Sequence, residues 1–340
     1  MNQTQPNEER LSHTLKSHEP TWVDSSYTSE NTMRIGILYS SNQQTDSTST
    51  MPTHQHVRRA LKGLCLDPVV INGDRPCLFD RLKVEQISVL IICAKGQFYE
   101  DGQLQGLCDW IKLPYLGSGR AASTLCQHPA LLDLVHFGCQ ATYSEHVLVQ
   151  PDDDLPDYPQ MAQYLRSEVL DLIPVVAADP WTAKKRVRSA RYFTQFLTQF
   201  LDLQGAVMIQ PARSYTRQYR LIVHDLEAVP CAMTLFEAQD TSRHLTSAKG
   251  LSHAENTMIE QTAVLYYRQL LLQGVAEFHV ALTPHHRCQV LHVRTLPSLH
   301  PKAILAKSFA EQDTSYPDML MSLVNRALHR PSVSPEQRTG

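Results

Sequence analysis

Several features that mark specialised protein classes are missing from this sequence of 340 residues. It has no run of about 18 apolar residues, so we expect no membrane-spanning helix. The first 29 residues are polar and lack the apolar stretch of a secretory signal peptide, which predicts a cytoplasmic location. The formal net charge of −3 excludes a strongly basic nucleic-acid-binding protein, and we therefore expect no nucleic-acid partner.

The eight cysteines are scattered and form no C-x-x-C pair. This spacing favours reduced and mostly buried thiols over a disulfide framework or a zinc site. Hydrophobic residues make up 42% of the chain and charged residues 19%, which excludes a chain that is disordered throughout. A chain of this length is expected to fold into about two or three domains.

The first half alternates short apolar strands with helices. Strands are predicted at 33–39, 69–71 and 88–93, and helices at 55–64, 102–111 and 130–137. The third strand is apolar throughout, as expected of a strand covered on both faces. This pattern predicts a parallel α/β sheet.

The second half reads as α+β. Residues 190–203 form the clearest amphipathic helix, with Tyr192, Phe193, Phe196, Leu197, Phe200 and Leu201 in one stripe. Further helices are predicted at 255–272 and 317–328. Strands are predicted in five places: 206–209, 220–224, 232–236, 277–281 and 288–293.

Two groups of short motifs carry a family resemblance. Residues 99–107 read YEDGQLQGL, and 113–118 read LPYLGS. Residues 293–297 read VRTLP, and Tyr316-Pro317 precedes the last predicted helix. In order and spacing they resemble the D-alanine–D-alanine ligase family, with its G-E-D-G-x-(I/L)-Q-G, I-P-Y-x-G-S and E-V-N-T-x-P motifs.

The resemblance implies an ATP-grasp architecture that is α/β at its start and α+β at its end. We expect a Rossmann-like N-terminal domain at 33–126, a central lid subdomain at 127–212 and a C-terminal α+β subdomain at 213–330. Flexible tails are expected at 1–32 and 331–340. In the family, ATP and magnesium lie between the last two parts, and the reaction joins two D-alanines through an acyl phosphate.

The catalytic positions depart from the family pattern. The resemblance aligns the magnesium ligands, Asp, Glu and Asn in the family, with His279, His292 and Arg294. An arginine that stabilises transferred charge aligns with Glu277, and the glycine after T-x-P aligns with Ser298. A hard divalent cation requires oxygen ligands, so this set argues against magnesium.

The nucleotide positions depart as well. The lysine of the family's M-D-K motif aligns with Pro129, and the second lysine falls at Ala178-Asp179. The carboxylates that hold adenine and ribose fall at 210–214, which contains none. A basic segment replaces the glycine-rich loop and is a candidate for relocated phosphate contacts: Lys184, Lys185 and Arg186.

The amino-acid side keeps only part of the pattern. His56 stands where the family has the glutamate that binds an ammonium group, and Lys95 stands where it has a histidine. The residues that match the family are expected mainly to hold the shape of the N-terminal domain, and they are Glu100, Asp101, Gly102, Tyr115, Gly117 and Ser118.

These substitutions predict a bacterial pseudoenzyme that requires no cofactor and has a binding or regulatory role near peptidoglycan precursor synthesis. We expect it to form a homodimer or to pair with a cell-wall enzyme. One alternative is an active ATP- and magnesium-dependent ligase with relocated ligands, using Lys95, Glu100, Asp101 and Lys184. Another is a metal or small-ligand site built on His279 and His292, with Glu277 or His300.

Overall fold

The structure is a computed structural model, and it describes most of the chain between residues 33 and 330. The described residues are 33–41, 51–139, 145–175, 183–213, 215, 217–227, 229–237, 246–248, 250–285 and 287–330. The predicted tails and the candidate positions Ala178 and Asp179 lie outside them. Among the described helices, none is both long and apolar enough to cross a membrane.

The first sheet is a parallel three-stranded sheet in the order β2-β1-β3. Its strands and connecting helices are β1 (Ile35–Tyr39), α1 (Thr53–Gly63), β2 (Val69–Asn72), α2 (Leu78–Val84), β3 (Val89–Ile92) and α3 (Gln103–Trp110). All four residues of β3 are buried, which explains the unbroken apolar run. The prediction of a parallel α/β sheet is confirmed.

A turn at 113–119 leads from this sheet into two short helices, α4 (Arg120–Gln127) and α5 (Pro129–Gly138). Proline occupies the first position of α5, where its missing N–H costs no helical hydrogen bond. The predicted helix at 130–137 is confirmed, whereas α4 is an element that periodicity did not indicate.

The second sheet is antiparallel, in the order β4-β7-β5-β6. Its elements are β4 (Val147–Val149), α6 (Tyr158–Tyr164), β5 (Leu170–Pro174), β6 (Lys185–Val187), α7 (Ala190–Gln204) and β7 (Val207–Pro211). Phe193 and Leu197 of α7 are buried against this sheet. Tyr192, predicted to share their stripe, is 53% exposed because it lies at the edge of the apolar arc.

The third sheet runs β11-β10-β8-β12-β13, with β9 paired to β8. Its strands are β8 (Arg217–His224), β9 (Cys231–Ala232), β10 (Phe236–Glu237), β11 (Thr246–Ser247), β12 (Val275–Leu282) and β13 (Cys288–Arg294). The helices of this region are α8 (His253–Gln269), α9 (Ile304–Ala310) and α10 (Tyr316–Leu328). The single strand predicted at 232–236 is instead two short strands, β9 and β10.

Helix α8 begins at a capping box, in which Ser252 and Glu255 satisfy each other's backbone N–H groups. It contributes Ile259, Ala263 and Tyr266 to the apolar core on one face of the third sheet. The opposite face carries the polar side chains described below. The three sheets fall within the three predicted domain ranges, and the domain boundaries themselves stay a prediction.

Candidate functional site

Five polar side chains of the third sheet come together on the face opposite its apolar core. Strand register places Glu277 opposite Arg294 and His279 opposite His292, and on the other side His279 is opposite Arg220. Paired residues in an antiparallel sheet project from the same face. We call these five residues the sheet-face cluster. The two histidines therefore lie on adjacent strands, and their ring centroids are 5.5 Å apart.

Glu277 is the buried centre of the sheet-face cluster, with 1% of its surface exposed. Arg220 donates to its Oε1 atom from Nε at 2.8 Å and also from Nη2. His279 Nε2 lies 2.7 Å from the same oxygen. Burial acts to raise the pKa of the Glu277 carboxyl, but the His279 contact and the nearby arginine charges outweigh it and hold this pKa well below its usual value. Glu277 is therefore an anion with its partners already in place.

The two histidines of the sheet-face cluster are neutral at pH 7. Burial lowers the pKa of His279, and the hydrogen bond to Glu277 only partly opposes this effect. Burial, followed by the neighbouring His279 and Arg294, holds the pKa of His292 well below its usual value. A neutral His279 that donates from Nε2 to Glu277 fits this arrangement.

This donor set does not fit a magnesium ion. Magnesium is bound by oxygen ligands in octahedral geometry, and the sheet-face cluster offers one carboxylate that Arg220 already occupies. Two guanidinium groups would face the cation. The set does not fit zinc either, because nowhere in the described parts of the chain do three or more His, Cys, Asp or Glu side chains gather closely enough to hold a metal ion.

The residues that match the family motifs lie elsewhere, where the first sheet meets the loop after β13. Lys95 Nζ is 3.2 Å from Glu100 Oε1, and it also donates to the carbonyl of Leu296. Glu100 accepts a second hydrogen bond from the backbone of Gly96 at 2.7 Å. The contact between Lys95 and Leu296 joins residues 201 positions apart. We call this region, together with the turn described next, the domain junction.

The turn at Gly117-Ser118 forms the other half of the domain junction. Gly117 has a φ of +97°, and a Cβ atom there would lie 2.3 Å from Leu296 Cδ2. Ser118 Oγ accepts from the backbone N–H of Gln273 at 3.2 Å. Arg330 donates to the carbonyl of Gly117. Each of these contacts ties the turn to the C-terminal part of the chain.

The other matching residues also have structural partners. Asp101 accepts from the backbone of Phe98 at 2.8 Å and of Gln103 at 3.0 Å, which shapes the entry to α3. Gly102 has a φ of +96°. Tyr115 is buried and donates to Asp109 at 3.0 Å. These contacts fit the expected role in holding the N-terminal domain together.

His56 and Ser298 lie near His300. The rings of His56 and His300 meet edge to face with centroids 4.9 Å apart, and Ser298 Oγ accepts from the backbone of His300 at 3.3 Å. Burial, followed by the charges of Arg59 and Lys302, lowers the pKa of His56. A neutral or positive group at position 56 cannot supply the negative charge of the family's glutamate.

The basic segment after residue 183 is engaged by a buried carboxylate. Asp171, 1% exposed, accepts from Arg186 at 2.8 and 3.1 Å and lies 3.4 Å from Lys184. The Lys185 ammonium lies 5.9 Å from the Phe196 ring centroid. Residues 185–187 form β6, and the ion pairs of Lys184 and Arg186 with Asp171 tie this segment to β5.

Two charged residues that sequence reasoning missed connect α5 to the second sheet. Asp133 of α5 is buried, and its carboxylate lies 3.6 Å from Arg213 and 3.0 Å from His146. Pro129, aligned with a family lysine, is the buried first residue of the same helix. Arg213 falls in the segment aligned with the family's adenine-binding carboxylates. Only the spatial pairing identifies Asp133 and Arg213 as partners, because they are 80 positions apart in sequence.

Comparison with known proteins gives one consistent result. The D-alanine–D-alanine ligase of Synechococcus sp. is 24% identical over 249 residues, which cover 70% of this chain and 75% of that protein. The D-alanine–D-alanine ligase of Pelotomaculum thermopropionicum is 20% identical over 319 residues, 87% of this chain and 97% of that protein. The solved structure of D-alanine–D-alanine ligase from Bacillus anthracis, complexed with ATP, superposes with a TM-score of 0.73 at 17% identity, covering 87% and 97% of the two chains. No family model matches the chain.

Proposed function

Because this chain is a member of the D-alanine–D-alanine ligase family with the ATP-grasp fold, we propose that it is a pseudoenzyme of that family. In this proposal it no longer binds ATP with magnesium, and it acts as a binding or regulatory protein linked to peptidoglycan precursor synthesis. The observation that carries the proposal is the sheet-face cluster, where arginine and histidine occupy the positions aligned with the metal ligands.

The magnitude of the charge change supports this proposal. Two unit charges about 4 Å apart interact by about 4 kcal/mol at an effective dielectric constant near 20. Arg294 in place of an oxygen ligand would repel a divalent cation by several kcal/mol on this scale. A millimolar dissociation constant corresponds to only about 4 kcal/mol in total. The repulsion is therefore large enough to abolish magnesium binding at that position.

The nucleotide side supports the proposal independently. Lys184 and Arg186, the candidates for relocated phosphate contacts, are held by the buried Asp171. Arg213 is held by the buried Asp133. Recruiting any of these cations to a phosphate would leave a buried carboxylate short of a partner, which is costly.

The alternative functions have less support. An active ligase with relocated ligands would use Lys95 and Glu100, which contact each other, and Lys184, which contacts Asp171. A histidine-based metal site would need a third ligand beside His279 and His292. The carboxylate nearest to them, Glu277, is occupied by Arg220.

The proposal also includes a cellular location and a binding partner. We place the protein in the cytoplasm of a bacterium, as a homodimer or paired with an active cell-wall ligase. Sedimentation of the purified chain alone and mixed with an active D-alanine–D-alanine ligase tests this. A monomer that leaves the sedimentation of the ligase unchanged would contradict it.

Thermal unfolding with and without Mg-ATP tests the central proposal. A ligand at about 100 times its dissociation constant stabilises a protein by about 2.7 kcal/mol, which raises the midpoint by a few degrees for a chain of this size. We expect no shift with Mg-ATP at several millimolar. An active D-alanine–D-alanine ligase, measured beside it, should show the full shift.

A reproducible rise of the midpoint with Mg-ATP would contradict the proposal. The next measurement would then be release of ADP that depends on added D-alanine. A positive result would establish the alternative, an active ligase that uses other ligands.

A further inference from the structure

One edge of the second sheet has three basic residues that the described part of the chain leaves without an ion pair. Lys185 lies in the edge strand β6, Arg188 follows that strand, and Arg191 lies in the first turn of α7. All three are exposed, and none forms an ion pair with another described residue. The first turn of α7 contains no acidic residue, so the positive end of the helix dipole adds to their charge. We call these three residues the basic edge.

Aromatic rings lie beside the basic edge. Tyr192 is 53% exposed, and its ring lies nearly parallel to that of Phe196, with the centroids 6.2 Å apart. The Lys185 ammonium approaches the same Phe196 ring. Protein interfaces are enriched in tyrosine and arginine relative to the rest of the surface. The basic edge therefore has the composition of a docking surface for an acidic partner.

The opposite edge of the same sheet has the reverse charge. Strand β4 forms that edge, and the turn after it contains three exposed aspartates, Asp152, Asp153 and Asp154. Asp153 accepts from the backbone N–H of Gln150 at 2.7 Å, which holds the turn at the end of β4. Leu148 and Leu155, 38% and 52% exposed, add apolar surface on either side. We call residues 152–154 the acidic turn.

Within one chain the acidic turn lies too far from the basic edge to neutralise it. Strands β7 and β5 separate β4 from β6, and adjacent strands are about 4.8 Å apart, so the two edges are about 14 Å from each other. Exposed charges are screened over about 8 Å at physiological ionic strength. A second copy of the chain can instead bring its acidic turn directly against the basic edge.

We propose that the basic edge binds the acidic turn of a second copy of this chain. Charge complementarity identifies this occupant, because three basic residues match three aspartates and both edges also have exposed apolar side chains. Strands β4 and β6 have only three residues each, so side chains rather than backbone hydrogen bonds hold the contact.

The contact joins two different surfaces of the chain. Each association therefore leaves one basic edge and one acidic turn available to further copies, and the assembly can grow beyond a dimer. This inference goes beyond the homodimer of the proposed function, and it does not depend on the loss of ATP binding.

Sedimentation velocity of the full chain at low salt tests the proposal. We expect the wild-type chain to form oligomers whose fraction rises with protein concentration. Two double variants, Lys185→Glu with Arg188→Glu and Asp152→Lys with Asp154→Lys, should each weaken self-association at least about tenfold, since attraction becomes repulsion. Both should keep the wild-type thermal midpoint, because all four side chains are exposed.

A mixture of the two double variants gives the sharpest measurement. Each variant retains the surface that the other has lost, so an equimolar mixture should associate under conditions where neither variant does so alone. Arg58→Glu with Arg268→Glu is the control, because it makes the same change in net charge at exposed arginines of α1 and α8. It should leave self-association unchanged.

Three results would overturn the inference. They are a wild-type chain that stays monomeric at its highest soluble concentration, equal weakening by the control variant, and a mixture of the two double variants that stays monomeric. None of them bears on Mg-ATP binding, so the pseudoenzyme proposal would stand. A thermal shift with Mg-ATP would contradict that proposal and leave this inference intact.

Discussion

The domain junction and the sheet-face cluster differ in how their charged side chains are paired. At the junction, Lys95 is matched by Glu100, and both also bind backbone groups. In the cluster, two arginines surround one carboxylate, Glu277. At the junction, Glu100, Gly117 and Ser118 match the family motifs, whereas Lys95 and the residues aligned with the family's metal ligands do not. The contacts that join the parts of the chain are therefore separate from the residues at the aligned catalytic positions.

The largest loss of stability should come from removing Arg220, the main partner of Glu277. Arg220→Met leaves a fully buried carboxylate with fewer partners, and breaking a buried ion pair costs about 3–5 kcal/mol. Urea unfolding measures the change in the free energy of unfolding. Arg34→Met is the control, because the Arg34 side chain is 47% exposed and pairs with Glu85 at 2.7 Å.

The control should lose less than about 1 kcal/mol, as is usual for exposed ion pairs. Equal losses in the two variants would show that the sheet-face cluster is no more than a surface ion pair. The contrast drawn with the domain junction would then fail.

A slightly smaller loss of stability is expected from a substitution in the domain junction. Gly117→Ala forces a side chain into a positive φ and against Leu296, which we expect to cost about 2–4 kcal/mol. Gly63→Ala is the matched control, since Gly63 ends α1 with no atom within 4 Å of an added Cβ. It should be neutral or slightly stabilising in urea unfolding. A loss at Gly117 no larger than at Gly63 would show that the turn is not tightly packed.

The smallest effect is a difference in pH dependence. Burial holds the pKa of His292 well below 6.5 in the folded state, so the unfolded chain binds a proton first as the pH falls. The neutral imidazole makes its full contribution to the free energy of unfolding above about pH 6.5. Below that pH the contribution falls by up to about 1.4 kcal/mol per pH unit. His292→Gln should flatten this slope in urea unfolding between pH 7 and 5.

Gly117→Ala should instead lower stability by the same amount at every pH, because it alters no titratable group. Parallel curves for wild type and His292→Gln would contradict the buried neutral state of His292. A slope change in Gly117→Ala would show that the two regions are coupled rather than separate.

Several elements could be predicted from local pattern alone. The all-apolar strand β3, the amphipathic helix α7 and the proline-led helix α10 follow from their periodicity and caps. The short helices α2 and α4 and the three-residue strands β4 and β6 were not predicted. Elements of this length contain too few turns or alternations for a period to be visible.

The candidate site was predictable in part. Alternation along β12 places Glu277 and His279 on one face, and the structure has both there. Arg220 was missed, because its relation to Glu277 depends on the register between β8 and β12. Asp171, the partner of the basic segment at 184–186, could not be identified from the sequence for the same reason, because it becomes a neighbour only when β5 pairs with β6.

The sequence by itself determined the family resemblance and the kinds of element in each half of the chain. These follow from short motifs and local periodicity, which depend on near neighbours in the chain. Only the tertiary structure decided which charges neutralise each other: Arg220 with Glu277, and Lys95 with Glu100 beside Leu296. The reason is physical. Coulomb and hydrogen-bond energies depend on distances of a few ångströms, and strand register and burial set those distances between residues far apart in sequence.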